Sequence, residues 1–201
     1  MKYFRKLVGT RCYLSPLSLE DIERNTEWVN DLEIGQFVLF SSTVYDIDKE
    51  RDALRTLMDK DVIFAIVEKD TNKSIGNCGL HQISEVHRHA QIGMFIGDKS
   101  YWNQGIGTEA TNLLLDYGFN VMNLNNISLE VVEYNKRALR CYEKCGFKYV
   151  GTRRKSIFMA GQYHDVLIYD MLAEDFESPF VKKTFEYATS DEAGRSKISL
   201  L

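Results

Sequence analysis

The order of apolar and polar positions changes period several times along the chain, and each change marks an element. Leu19, Ile22, Trp28, Val29 and Leu32 fall on a helix opened by Ser18 as N-cap, with Asp21 three residues on in a variant of the capping box. A second helix is expected over 48–60, where Ala53, Leu54, Leu57 and Met58 make the apolar stripe. The period then shortens. Residues 62–67 are a β-rich apolar run too short for a helix, closed by Asp70-Thr71-Asn72-Lys73, and the hairpin partner runs over 74–80. A connection at 85–88 leads to a third strand, 89–96. After a polar stretch comes Gly105-Ile106-Gly107, then a helix carrying Ala110, Leu113, Leu114, Tyr117, Gly118 and Val121 at helical spacing. A strand at 127–132 and a helix at 136–144 follow, with Gly146 placed to end that helix as a C-terminal cap. Two closing strands, 149–158 and 166–171, flank the turn Ala160-Gly161-Gln162-Tyr163.

Two helices, an antiparallel meander, strand–helix–strand–helix and a closing hairpin describe a mixed α/β domain. The expectation is a mostly antiparallel twisted sheet of six to seven strands with about four helices. The 201-residue chain suits one domain, placed at 1–176. Beyond it, 177–201 mixes Phe180, Phe185 and Tyr187 with serine, lysine and acidic residues. It reads as a C-terminal tail, either docked (a second subunit of a homodimer is one such partner) or frayed.

Composition narrows the functional classes. Hydrophobic residues make up 44% and charged residues 27%, which excludes a disordered chain. No apolar run approaches the ~18 residues that span a bilayer, and no apolar leader core follows the basic start, so no membrane association and a cytoplasmic location are expected. With 25 basic and 29 acidic residues the net charge is −4, which argues against nucleic acid as a partner and is compatible with a cationic substrate. Cys141 and Cys145 stand one helical turn apart, but no Cys-x-x-Cys or histidine pair completes a site. No metal is expected, and the thiols read as buried.

The most informative segment is Tyr101-Trp102-Asn103-Gln104-Gly105-Ile106-Gly107-Thr108-Glu109-Ala110. A Gly-x-Gly turn opening a helix presents backbone N–H groups without intrahelical partners at the positive end of the helix dipole, where a pyrophosphate fits. No Lys-Ser/Thr closes a Walker A frame. Gly105-x-Gly107-x-x-Ala110 does match a Rossmann fingerprint, with Glu130 near the ribose-binding offset. Against an NAD-binding reading, the preceding strand ends near Ile96 and the segment follows a meander.

A second motif, Asn135-Lys136-Arg137-Ala138-Leu139-Arg140-Cys141-Tyr142-Glu143-Lys144-Cys145-Gly146-Phe147, follows the 127–132 strand. In order and spacing the two motifs resemble those of the Gcn5-related N-acetyltransferase (GNAT) superfamily, over roughly residues 11–176. The Gly161-Gln162-Tyr163-His164-Asp165 turn resembles the branch of spermidine and ribosomal-protein N-terminal acetyltransferases. The resemblance implies acetyl-CoA as co-substrate, lying where strands 89–96 and 127–132 splay apart. It implies that backbone groups of Met94, Phe95 and Ile96 meet the pantetheine arm. Trp102, Asn103, Gln104, Gly105, Ile106, Gly107 and Thr108 would hold the pyrophosphate, and Ala138 and Lys144 would border the same path. Asn135 would hydrogen-bond the pantetheine, and Tyr142 would protonate the departing thiolate. A helix N-cap and a core tyrosine are the plain structural roles of those last two residues.

Two departures stand out. Trp102 occupies the loop position where the superfamily usually has Gln or Arg. Gln91 stands where one branch carries a glutamate base, and glutamine cannot accept the proton of an ammonium. Glu130, Glu133, His81 or ordered water remain as candidate bases, with Glu130 the first choice, and on a regular strand Glu130 and Glu133 face opposite sides. The acceptor is expected to be a small amine or a peptide N-terminus, met by the first two helices and their loop. Asp31, Glu33, Asp46 and Asp48 there suit a cation, and a solvated acidic surface accounts for them equally well. A non-catalytic acyl-CoA-binding module with the same fold is the competing class.

Overall fold

Strand pairing sets the frame on which the site is built. In the computed structural model, which describes residues 3–38 and 42–181, the strands are β1 (Leu7–Val8), β2 (Cys12–Pro16), β3 (Val62–Glu68), β4 (Lys73–Ser84), β5 (His89–Ile96), β6 (Asn126–Val132), β7 (Lys148–Met159) and β8 (Gln162–Leu172). Among the described residues they form one eight-stranded sheet in the order β1-β2-β3-β4-β5-β6-β8-β7, antiparallel throughout except for β5 and β6. The mixed, mostly antiparallel sheet is as expected. The count exceeds it because β1 and β2 escape the sequence reading. Cys12, Tyr13, Leu14 and Ser15 are all buried at 1% exposure or less. A strand covered on both faces shows no apolar–polar alternation to read.

The helices are α1 (Ile22–Asn30), α2 (Leu32–Val38), α3 (Ile47–Lys60), α4 (Ile106–Asn120) and α5 (Lys136–Cys145). The first predicted helix proves to be two, preceded by a 3-10 turn at Leu19–Asp21. Asp31 adopts an extended backbone and its carboxylate accepts the Glu33 N–H at 2.9 Å, so it ends α1 and starts α2, leaving Leu32 largely exposed. The capping box is also modified. Ser18 Oγ accepts from Glu20 N–H, while the Asp21 carboxylate accepts from the Tyr3 hydroxyl at 2.9 Å and meets Arg24. Met58, placed in the α3 stripe, is 41% exposed.

The sheet separates two apolar layers. Phe64 and Ile66 of β3 join Leu14, Leu80, Ile92 and the α4 residues Leu113 and Leu114 in the larger core. The alternate residues Ala65 and Val67 pack with Ile22 and Leu54 of α1 and α3 on the other face. The period of two in β3 thus assigns α4 and α5 to one face, and α1 and α3 to the other. At the C-terminal end Ala160 and Gly161 both take positive φ, as a two-residue hairpin requires.

Of the expected tail, 177–181 is docked. Buried Asp116 of α4 accepts from Ser178 Oγ at 2.6 Å, Phe180 N–H at 2.9 Å and Val181 N–H at 2.8 Å. Val181 joins the larger core, and Phe176 packs on Phe119 with ring centroids 5.4 Å apart. Phe185 and Tyr187 lie outside the described residues. No helix among the described residues is long and apolar enough to cross a membrane.

Candidate active site

β5 and β6 are held together only at one end. His89, Ala90 and Gln91 pair with Asn126, Ile127 and Ser128, and the strands part beyond them. The gap opens between Ile92–Ile96 on one side and Leu129–Val132 on the other, and a cavity of about 770 Å3 runs through it, lined from both faces of the sheet. Met94, Phe95 and Ile96 line this cavity, with backbone groups that β6 no longer occupies.

The glycine loop stands at the wide end. A 3-10 turn, Lys99–Tyr101, separates β5 from it, so the glycines do not follow the strand directly as a Rossmann turn would. Gly105, at φ 82°, is the N-cap of α4, and no side chain caps this helix, whereas Asp46 and Asn135 cap α3 and α5. The first N–H groups of α4 are therefore left for a ligand. Gly105 is required by its backbone angle. Gly107 is not: a Cβ there would meet only Met94 at 3.6 Å and Cys141 at 3.9 Å, ordinary contacts. The missing side chain keeps open a cradle that neither packing nor backbone demands, and a pyrophosphate fits it.

Trp102, Asn103, Gly105, Gly107 and Thr108 line the cavity, while the side chains of Gln104 and Ile106 do not reach it. Gln104 is exposed and bonds the Ser100 carbonyl and Arg11, whereas Ile106 is buried in the core. Trp102 departs from the superfamily pattern with a purpose of its own. Its indole N–H donates to the Ile96 carbonyl at 2.7 Å, and the Arg137 guanidinium lies 3.5 Å from its ring centroid. Glu109 carries no ligand role; its carboxylate accepts the N–H groups of Arg11 and Cys12 and ties α4 to β2.

On α5, Asn135 is both buried and in the cavity wall. Its side-chain oxygen accepts Ala138 N–H at 3.1 Å, so the cap is real, and its amide nitrogen bonds to no described residue. Tyr142 is 7% exposed, packs edge-on against Phe147 and lines the cavity, yet its hydroxyl makes no hydrogen bond among the described residues. Burial, with the neighbouring thiols of Cys141 and Cys145, pushes this phenol well above the usual tyrosine range. It is held in the protonated form. Ala138 and Lys144 border the same wall. So do Arg137 and Arg140, which the sequence reading passed over although 137, 140 and 144 recur at helical spacing. Cys141 and Cys145 are half-buried rather than core thiols and contact Thr108 of α4. The hydrogen bond from Cys145 is the main cause that lowers the Cys141 thiol.

The candidate bases are dispersed. Glu130 faces the cavity, but Arg153 grips both its oxygens at 2.7 and 3.0 Å. β6 ends at Val132, so Glu133 lies beyond the regular strand and meets His164 at 3.3 Å. The four acidic residues expected to draw a cation are also engaged: Asp31 and Glu33 hold Lys99, Asp46 caps α3, and Asp48 pairs with Arg51. Of the two carboxylates that line the cavity, Glu130 and Glu50, the one that stays unpaired among the described residues is Glu50 of α3, which sequence reading missed. It is 3% exposed, lines the cavity near Tyr45 and Leu54, and burial pushes it up to about 7.

The acetyltransferase (GNAT) domain family matches residues 11–148. The chain belongs to this family. Among curated GNAT relatives, it is 27% identical over 175 residues to "Uncharacterized N-acetyltransferase p20" of Bacillus licheniformis, covering 85% of this chain and 97% of that one. It is 36% identical over 102 residues to the spermidine N(1)-acetyltransferase of Escherichia coli K12, 51% of this chain and 54% of the relative. Among solved structures, the spermidine N-acetyltransferase of Vibrio cholerae, determined with CoA and spermine, superposes with a TM-score of 0.77 at 24% identity, over 83% of this chain and 98% of that chain. At that identity the superposition speaks for the fold, which agrees with the splayed sheet described above.

Proposed function

We propose that this GNAT protein transfers the acetyl group of acetyl-CoA to a primary amine on a small cationic acceptor, polyamines being the class that fits best. The observation that carries the reading is the pairing of two unpartnered groups on one cavity. Tyr142 reaches it from the α4/α5 face and Glu50 from the α1/α3 face. Acetyl-CoA, when bound, supplies an activated thioester. The α4 N-terminus would hold its pyrophosphate, and Arg137, Arg140 and Lys144 would offset the phosphate charge. Asn135 would fix the pantetheine with the amide nitrogen its cap leaves over. Tyr142, protonated because it is buried, would donate to the leaving sulfur.

Glu50 would face the acceptor. An ionised carboxylate in so apolar a wall is costly, and an approaching ammonium offsets that cost, so the site favours cations over neutral amines. Relatives named spermidine N(1)-acetyltransferase support the class. The test is steady-state thiol release from acetyl-CoA with a panel of polyamines, amino sugars, amino acids and an N-terminal peptide. Turnover favouring polyamines is expected. CoA binding without turnover on any amine would favour the non-catalytic module instead.

A further inference from the structure

Asp61 and His81 form a pair on the cavity beside Tyr142 and Glu50. Asp61 ends α3, and His81 lies on β4 directly across the ladder from Gln91. The Asp61 carboxylate is 3.1 Å from His81 Nδ1, with the two side chains only 15% and 29% exposed. Ring Nε2 bonds to no described residue, and the ring borders the same cavity as Tyr142 and Glu50.

What leaves room for Nε2 is Gly93. Gly79 and Gly93 face each other across β4 and β5. A Cβ on Gly93 would stand 3.0 Å from Nε2 and 3.2 Å from the adjoining ring carbon, and no other described atom lies within 4 Å of it. A Cβ on Gly79 would stand 3.4 Å from the same nitrogen, but it would first collide with the Ile63 side chain and the Val62 carbonyl, so β3 already requires that glycine. The imidazole thus lies across bare backbone. Gln91 is the last β5 residue paired with β6, so Gly93 is two residues into the gap. The pyrophosphate loop occupies the wide end, and the thioester end of the cofactor path points to the narrow one, where Nε2 stands on the acceptor face.

We propose, resting on the acetyl-transfer reading above, that His81 is the general base and Asp61 the positioning residue that keeps its proton on Nδ1. The acceptor ammonium passes one proton to Nε2. Its freed electron pair forms the C–N bond to the acetyl carbonyl carbon, and the C–S bond breaks. Tyr142 gives its proton to sulfur and recovers one, through water, from the nitrogen. His81 releases its proton to solvent, so ammonium and thioester become amide, thiol and one proton. Glu130, held by Arg153, and Gln91, which has no basic lone pair, are set aside by the same geometry.

The experiment compares wild type, His81→Gln and Asp61→Asn with the cationic acceptor that the panel selects and with methoxyamine, which is neutral at neutral pH and needs no deprotonation before attack. His81→Gln should lower kcat on the cation by roughly 10²-fold or more and on methoxyamine by less than about tenfold, with KM for acetyl-CoA held. The CoA-induced rise in melting temperature should persist, which shows the variant folded. Independently of turnover, ¹⁵N–¹H spectra of the imidazoles should place the His81 proton on Nδ1 in wild type and move it to Nε2 in Asp61→Asn. Full kcat in His81→Gln, equal losses on both acceptors, or a wild-type proton on Nε2 would each overturn the proposal while leaving acetyl transfer standing. Absence of wild-type turnover with every amine would overturn the transfer reading, and this inference with it.

Discussion

Replacing Glu50 with glutamine keeps the shape of the side chain and removes its charge, and the consequence depends on pH. An ordinary glutamate titrates near 4.5, and burial moves Glu50 to about 7. At about 1.4 kcal/mol per pH unit, ionising the residue in place costs on the order of 3 kcal/mol. Because the folded value lies above the unfolded one, the stability tied to this group is full below about 4.5, falls as pH rises toward 7 and stays low beyond. Glutamine has no such loss. Glu50→Gln should therefore be more stable than wild type by up to about 3 kcal/mol near pH 8, and by less than about 1 kcal/mol near pH 5.

Urea denaturation at the two pH values measures the difference directly. The same substitution should harm function, since a charge-assisted hydrogen bond to an ammonium is worth about 1.5–3 kcal/mol. KM for a cationic acceptor should rise roughly ten- to a hundredfold, with KM for acetyl-CoA unchanged. A variant that is less stable than wild type near pH 8, or that binds the acceptor equally well, would refute the reasoning. Stability gained where binding is lost is the mark of a carboxylate kept for its ligand.

Three further outcomes are expected. Tyr142→Phe keeps the ring against Phe147 and should lower kcat by roughly 10²-fold, at the low end because a thiolate leaves readily, with CoA affinity retained; full turnover with chemistry rate-limiting would make Tyr142 a core residue only. CoA should raise the melting temperature of wild type, and Gly107→Glu, which puts a carboxylate into the cradle, should abolish that rise; a normal shift would remove the loop from cofactor binding. Asp116→Ala removes the acceptor that Ser178, Phe180 and Val181 share and should cost roughly 2 kcal/mol or more, with proteolysis sharply increased near Ser178; unchanged protection would show that the apolar contacts of Val181 and Phe176 hold the segment without it.

The parts of the fold legible in the sequence are those whose burial is one-sided or whose ends carry their own chemistry. α5 runs from an asparagine cap to a left-handed glycine at φ 94°, and both ends are visible in Asn135 and Gly146. β5 is bounded by turn residues and matches its expected limits. The failures have equally local causes. β2 is covered on both faces and carries no alternation. The break between α1 and α2 depends on the rotamer of a single aspartate. The hydrogen bonds from 178–181 are accepted by Asp116, a charge on the buried stripe of α4 whose partners there lie some sixty residues on in the chain.

For the site the division is sharper. The cavity-lining residues that motif spacing singles out, such as those at the α4 N-terminus, Asn135 and Tyr142, are each positioned by one turn of chain, and the sequence displays that turn. The carboxylates that acidic composition singles out are, by contrast, engaged elsewhere in the structure. Asp31, Glu33, Asp46 and Asp48 find partners within their own segment or on Lys99, and a carboxylate with a partner is a poor receptor for a second cation. Glu50 differs in nothing that a sequence displays. Only the packing of α3 on α1 and β3, which turns Glu50 into the cavity wall, leaves it without a partner among the described residues. The same holds for His81, which finds its room over Gly93, twelve residues on in sequence and on the neighbouring strand. A side chain at Gly93 would press on the imidazole and on no other described group. The absence of atoms at that one position therefore carries information about function: it makes a surface flat enough for a ring nitrogen to reach the gap.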